Sequence, residues 1–426
     1  MSMATTSQLE NSSVPVENDP MSRTEVRSAA SLAAIFALRM LGLFLILPVF
    51  ALHAQTLPDG NNAVLVGLAM GMYGLCQAIC QIPMGMASDR LGRKPVIVAG
   101  LLLFAVGSVW AALADSVMGI LIGRAIQGSG AISAALSALI ADTTREQHRT
   151  KAMAMVGGSI GLSFALSLVA APALYQAIGL SGIFFLTAAL ALAGIVVVVK
   201  MTPSAPALPR SQVALRDVLL MPELMRLNYG VFVLHLSQMA MFVVLPAYIV
   251  NVVDLPLQQH WKLYLPVMIL SFFTMLPAIM YGEKNGKMKT VFLGAISLLC
   301  LVLFAFSGAL QQRYALIVLL FAFFIAFNIL EACQPSLVSR LAPAAAKGTA
   351  LGVYNTLQAL GLFCGGYLGG WLKQQGNPAA VFILAGLLCT VWLIIAAAMP
   401  AIGRRQAAAR DSVDLAESNS GIKAIN

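Results

Sequence analysis

Charge is scarce in this chain. Lys, Arg, Asp and Glu make up 10% of 426 residues, and only 17 are acidic. A soluble domain carries roughly 25%. With 59% of residues hydrophobic, no soluble fold could hide the apolar surface, so the solvent is a lipid bilayer. Cysteine is scarce too. Cys76, Cys80, Cys300, Cys333, Cys364 and Cys389 all fall within apolar stretches, which excludes the disulfide framework of a secreted domain. Cys76 and Cys80 share a helix face and read as packing rather than as a metal pair. No G-x-x-x-x-G-K-[ST] loop is present, which excludes a P-loop ATPase. There is no credible catalytic triad and no metal cluster, so the chain reads as no enzyme and as needing no cofactor. The first ~25 residues lack the apolar core and cleavage site of a signal peptide.

What the chain does have is twelve apolar stretches, at 29–53, 63–86, 95–115, 117–141, 151–176, 180–200, 227–251, 262–282, 289–309, 314–339, 348–372 and 378–400. Each is long enough for the roughly 20 residues of a spanning helix. Backbone groups in hydrocarbon must pair internally, and stretches of this length do so as helices. The predicted fold is an all-α membrane protein with two six-helix bundles at 29–200 and 227–402, joined by a cytoplasmic loop at 201–226. Polar tails at 1–28 and 403–426 flank them. With both ends inside, 21 of the 26 Lys and Arg lie in cytoplasmic segments and three (Lys262, Arg313, Lys373) lie outside. That asymmetry fixes the orientation. It also explains the net charge of +9 without nucleic acid.

The two bundles are related by an internal repeat. Pro83 and Asp89-Arg90-Leu91-Gly92-Arg93 recur, 194 residues later, as Pro277 and Glu283-Lys284-Asn285-Gly286-Lys287. Duplicated six-helix halves are a transporter architecture, with the substrate site near midplane between them. Two arginines, Arg39 and Arg124, lie inside predicted spans. A permanent charge there is costly and faces a cavity or a partner. Glu331 is the only acidic residue placed deep in the bilayer: nine residues from Arg340, at 1.5 Å each, put it about 13 Å inward. A carboxyl withdrawn from water can exchange protons near neutral pH. His235 suits a proton relay. Glu331, His235, Arg124 and Arg39 are therefore the candidate proton-coupling residues. The candidate cavity lining is Tyr73, Gln77, Gln81, Gln238, Asn328, Gln334, Tyr354, Asn355 and Gln358, of which Tyr73, Gln77 and Gln81 step by four along one helix.

The loop after the second span carries Gly85, Asp89, Arg90, Gly92, Arg93 and Lys94. It resembles the G-x-x-x-D-R-x-G-R-K signature of the major facilitator superfamily. Arg124, Gln127 and Gly128 resemble that family's R-x-x-Q-G motif, which is associated with proton-coupled members. The antiporter motif G-x-x-x-G-P-x-x-G is poorly kept: Ser167, Ala171, Pro172 and Tyr175 stand in its place. The same offset lands on Gly361, Gly365, Gly366 and Gly369. Leu38-Arg39-Met40-Leu41-Gly42 and Ala326-Phe327-Asn328-Ile329-Leu330-Glu331-Ala332 are similar to YajR-type bacterial inner-membrane transporters, whose soluble C-terminal domain is not expected here. The resemblance implies that the signature loop latches the outward-facing state, with Asp142 joining its charge network. It also implies proton-coupled efflux of a small drug or metabolite by a monomer in the bacterial inner membrane. The expected partners are that substrate, protons and lipid. Proton-coupled uptake of a sugar or organic acid is the alternative, and a non-transporting membrane sensor a remote one.

Overall fold

The structure, a computed structural model, describes residues 20–203, 220–343 and 347–399. The predicted C-terminal tail, most of the 201–226 loop and the chain up to residue 19 lie outside them. The helices are α1 (Arg23–Phe44), α2 (Leu47–His53), α3 (Ala63–Leu91), α4 (Arg93–Leu113), α5 (Val117–Ser129), α6 (Ser133–Thr143), α7 (Glu146–Val196), α8 (Pro222–Asn251), α9 (Trp261–Lys284), α10 (Met288–Ala309), α11 (Arg313–Leu341), α12 (Lys347–Gln374) and α13 (Ala379–Ala397). No strand occurs among the described residues. Among the described residues, ten helical segments are long and apolar enough to cross a membrane; this is a multi-pass membrane protein. The 51-residue α7 bends at Gly179 (φ 66°) and carries both predicted spans 151–176 and 180–200. α12, not counted in the ten, carries the span predicted at 348–372.

α1 starts at Arg23, ahead of the predicted 29, because Ser22 and Glu25 form a capping box. The Ser22 Oγ accepts the Glu25 N–H (3.2 Å), and the Glu25 carboxylate accepts the Ser22 N–H (2.8 Å). Two predicted spans are interrupted. The first breaks between Phe44 and Leu47, where Pro48 opens α2. The fourth breaks at 130–132, between α5 and α6. At that break Gly130 lies so close to α4 that a Cβ on it would stand 2.2 Å from the Gly100 carbonyl oxygen.

Small residues set the helix packing. On α7, the Ser159, Ser163 and Ser167 hydroxyls donate to the Ala33, Ala37 and Leu41 carbonyls of α1 at 3.0, 3.1 and 3.1 Å. On α12, Gly361 and Gly365 touch the Phe232 and Leu236 backbone of α8. The neighbouring face of α12 meets α3 instead: Gly366 lies against Gly67, and Gly370 against Ala63. Small residues let backbones approach in this way. This α3–α12 seam joins the two halves at the end that the charge pattern assigns to the outside.

The same outer end holds a polar clasp. The Asp59 carboxylate accepts the N–H groups of Val117 (2.7 Å) and Met118 (3.0 Å) at the start of α5. Burial opposes its ionisation, but the two N–H groups outweigh burial and hold the carboxyl below its ordinary range. Its contribution is therefore present above about pH 4 and is lost as pH falls through the lowered value. Asp59→Asn should cost about 1 kcal/mol, read as a lower melting temperature at pH 7 and a smaller difference from wild type in acid.

Candidate functional site

On the face that the charge pattern assigns to the inside, Gly92 (φ 95°) turns the chain between α3 and α4, a conformation that glycine adopts without strain. Arg93 then reaches both Asp89 and Asp142, the latter at 2.9 Å, and donates to Ser88 Oγ at 2.9 Å. Lys94 donates to the Thr202 carbonyl at 2.6 Å. Gly85 lies against Ala134 of α6. Arg90 is exposed and forms no ion pair among the described residues. A second pair, Arg145 with Glu25 at 2.9 Å, ties the start of α1 to the turn before α7.

Within the predicted spans, Arg39, Arg124, Tyr73 and Gln77 form one polar cluster and His235, Glu331 and Gln358 another. In the N-terminal half Arg39 is fully buried. It donates to the Tyr73 hydroxyl (2.6 Å), Ser133 Oγ (3.2 Å), the Gly130 carbonyl (3.3 Å) and Gln77 Oε1 (3.5 Å). It thereby satisfies the carbonyl freed by the α5–α6 break. Arg124 donates to Gln127 Oε1 (3.0 Å) and to the Met70 carbonyl (3.4 Å), and Gln127 donates to Ser108 Oγ (2.7 Å). Both guanidinium groups lie over the Tyr73 ring, at 5.7 and 5.1 Å from its centroid. They are thus no more than about 11 Å apart, the two distances together. Like charges at that range repel by about 1.5 kcal/mol at an effective dielectric near 20. Among the described residues no carboxylate pairs with either arginine.

In the C-terminal half His235 Nε2 lies 3.5 Å from Glu331 Oε2 and 2.7 Å from the Gln358 side-chain amide. Its Nδ1 is 3.0 Å from the Val231 carbonyl. That oxygen can only accept, so Nδ1 carries the proton and neutral Nε2 offers a lone pair. The Glu331 side chain is 25% exposed. Asn328 donates to Ser271 Oγ at 2.9 Å. Gln81, Gln238, Gln334 and Tyr354 are buried with side-chain polar atoms left without partners, and Asn355 is half-buried. The two clusters meet the seam at one level: Gly74, three residues from Gln77, touches Ala359, the neighbour of Gln358.

Phe164 of α7 bridges the halves. Its ring centroid is 5.1 Å from Phe44, 5.6 Å from Phe327 and 6.1 Å from Phe324, and Phe327 lies 5.9 Å from the His235 ring.

Residues 32–366 match the family described as Major Facilitator Superfamily. The chain belongs to that superfamily. Among its members it is 44% identical to "Inner membrane transport protein YajR" of Escherichia coli over 385 residues, 89% of this chain and 84% of that one. It is 28% identical to "Multidrug resistance protein MdtH" of Sodalis glossinidius, over 87% of this chain and 94% of that one. A bacterial homologue of the human lysosomal transporter Spinster, solved in an inward-facing, unoccupied conformation, shares the fold: TM-score 0.65 at 14% identity, covering 88% of this chain and 96% of that one. The superfamily is one of secondary transporters, not of enzymes.

Sequence reasoning left Ser108, Ser133 and Phe164 out of the site. Ser108 and Ser133 carry no pattern of their own and gain importance only where Gln127 and Arg39 reach them. Phe164 is one aromatic among 20 phenylalanines. Tertiary packing alone sets it between the halves.

Proposed function

We propose that this chain is a proton-coupled exporter of a small drug or metabolite, a twelve-span monomer of the bacterial inner membrane with both termini inside. The carrying observation is the Glu331–His235–Gln358 chain, a quarter exposed at the Glu331 side chain and ending at the seam between the halves. Protonation of His235 turns Nε2 from acceptor to donor. It would then release the Gln358 amide and turn to Glu331, whose carboxylate lies 3.5 Å away. Gln358 adjoins Ala359, which packs on Gly74 of the other half, so the proton acts on the contact that must part during alternating access. The halves touch at the outer end, the arrangement in which an exporter loads from the inside. The inner-membrane and multidrug-resistance names of the relatives favour the same reading.

One observation favours uptake instead. The glycines of the antiporter motif are replaced on α7 by Ser167, Ala171 and Tyr175, and the Ser167 hydroxyl is bonded to the Leu41 carbonyl of α1. The deciding experiment is intracellular accumulation of fluorescent compounds in efflux-deficient cells, with and without a protonophore. The wild type should lower accumulation, and both the protonophore and Glu331→Gln should abolish the difference. Raised accumulation would mean uptake. Lowered accumulation that neither treatment changes would reject proton coupling.

A further inference from the structure

We propose that the substrate carries an acidic group (carboxylate, sulfonate or phosphate) whose charge is met by Arg124 and Arg39. The inference rests on the exporter reading and names its substrate class.

Arg39 and Arg124 are 0% and 2% exposed, and the Nε of each has no hydrogen-bond partner. All their acceptors are neutral: hydroxyls, side-chain amide oxygens and backbone carbonyls. Two permanent cations thus share one aromatic ring in the membrane interior with no counter-charge among the described residues. The one carboxylate at this depth, Glu331, sits in the opposite half against His235. It is committed there to a proton partner rather than to the arginines. Guanidinium groups lacking a carboxylate match a planar or tetrahedral oxyanion, which they bind by parallel N–H donors.

A second place along the same interface carries the same sign. At the outer end, a cavity of about 160 Å³ is lined from α2, the connection to α3, α3, α8 and α12, by Ala51, Gln55, Asn61, Val66, Val243 and Lys373 among others. Lys373 is its only charged lining residue, and its ammonium reaches one acceptor, the Val243 carbonyl, at 3.5 Å. An anion leaving the N-terminal cluster toward the outer end would meet a second cation there. Phe44, packed against the group that contains Tyr73, leads to Phe164 and Phe327, and these rings offer stacking surface for an aromatic body. An inside-negative potential also favours the outward passage of an anion.

The test uses one aromatic body with three head groups: 1-naphthoate, 1-naphthamide and 1-naphthylmethylammonium. Binding is read as thermal stabilisation of the purified full-length protein with no gradient present. Naphthoate should bind at least about tenfold tighter than either analogue. Arg124→Gln should weaken it by about tenfold or more, equivalent to about 1.4 kcal/mol, and Arg124→Lys should recover part of the loss. Equal binding of the amide or the ammonium, no binding of naphthoate, or indifference to Arg124→Gln would overturn the proposal. Should Arg124→Gln not fold, the wild-type ranking of head groups decides alone. An acid preference without gradient-driven flux would reject the exporter reading only. Gradient-driven flux of the ammonium probe would reject the acid site only.

Discussion

Gly67→Leu should reduce transport by tenfold or more while leaving each half folded. A Cβ at Gly67 would stand 2.1 Å from the Gly366 carbonyl oxygen, and one at Gly366 would stand 2.4 Å from the Gly67 oxygen. Neither backbone can yield locally, so α3 and α12 must separate. Overpacking of this kind costs about 1–3 kcal/mol. Applied to a two-state equilibrium, it shifts the populations by about tenfold per 1.4 kcal/mol. The cost falls only on the state with the outer end closed, because the seam joins the two halves and no helix pair within one. The measurement is alkylation of Ala51→Cys, a buried residue lining the outer cavity, in a cysteine-free background: its rate should rise in Gly67→Leu as transport falls. Gly361→Ala is the contrast. Its Cβ would meet the Phe232 carbonyl at 2.4 Å within the C-terminal half, so it should lower the yield of folded protein instead. Unchanged labelling and transport in Gly67→Leu would show that the seam is not the outer gate.

The membrane protein and its superfamily were legible in the sequence because each rests on a signal spread over many residues; the orientation and the duplicated halves are read from signals of the same kind. Apolar length, the placement of Lys and Arg, and the 194-residue offset survive errors of several residues. The glycines of α12 were visible as a packing face, but their division between α8 and α3 was not. Gly361 and Gly366 are five apart and point to different neighbours, and only the tertiary arrangement says which is which. The breaks within the first and fourth spans were hidden for a different reason. A helix in hydrocarbon is expected to continue unless something accepts its freed backbone groups, and at Gly130 that something is Arg39, 91 residues earlier in the chain. Arg39, Arg124, Glu331 and His235 could be named from their charge at the predicted depth. That they separate into a cationic half and a proton-binding half follows from packing alone.

Arg39→Leu should then be among the most destabilising substitutions in the membrane interior. Leucine is the residue a bilayer would prefer, and it would relieve the repulsion of about 1.5 kcal/mol or more from Arg124. Against that gain stand the bonds that Arg39 makes to Tyr73, Ser133 and the Gly130 carbonyl. Hydrogen bonds to a charged group contribute about 1.5–3 kcal/mol each, so three of them, about 4.5 kcal/mol at the low end, outweigh a relief near 1.5 kcal/mol. The broken end of α5 would also keep a carbonyl that no water can reach. The expected result is a melting temperature well below wild type and a severalfold smaller monodisperse fraction in detergent. Arg39→Lys should recover only part, since an ammonium cannot span donors that the guanidinium fork reaches together. Arg124 is held by a smaller set, Gln127 and a 3.4 Å contact to Met70, so Arg124→Gln should cost less stability. The two arginines would then separate by readout: Arg39 chiefly through the fold of the N-terminal half, Arg124 chiefly through what that half can bind. Equal stability of Arg39→Leu and wild type would mean that the break in the fourth span is held by something other than this side chain.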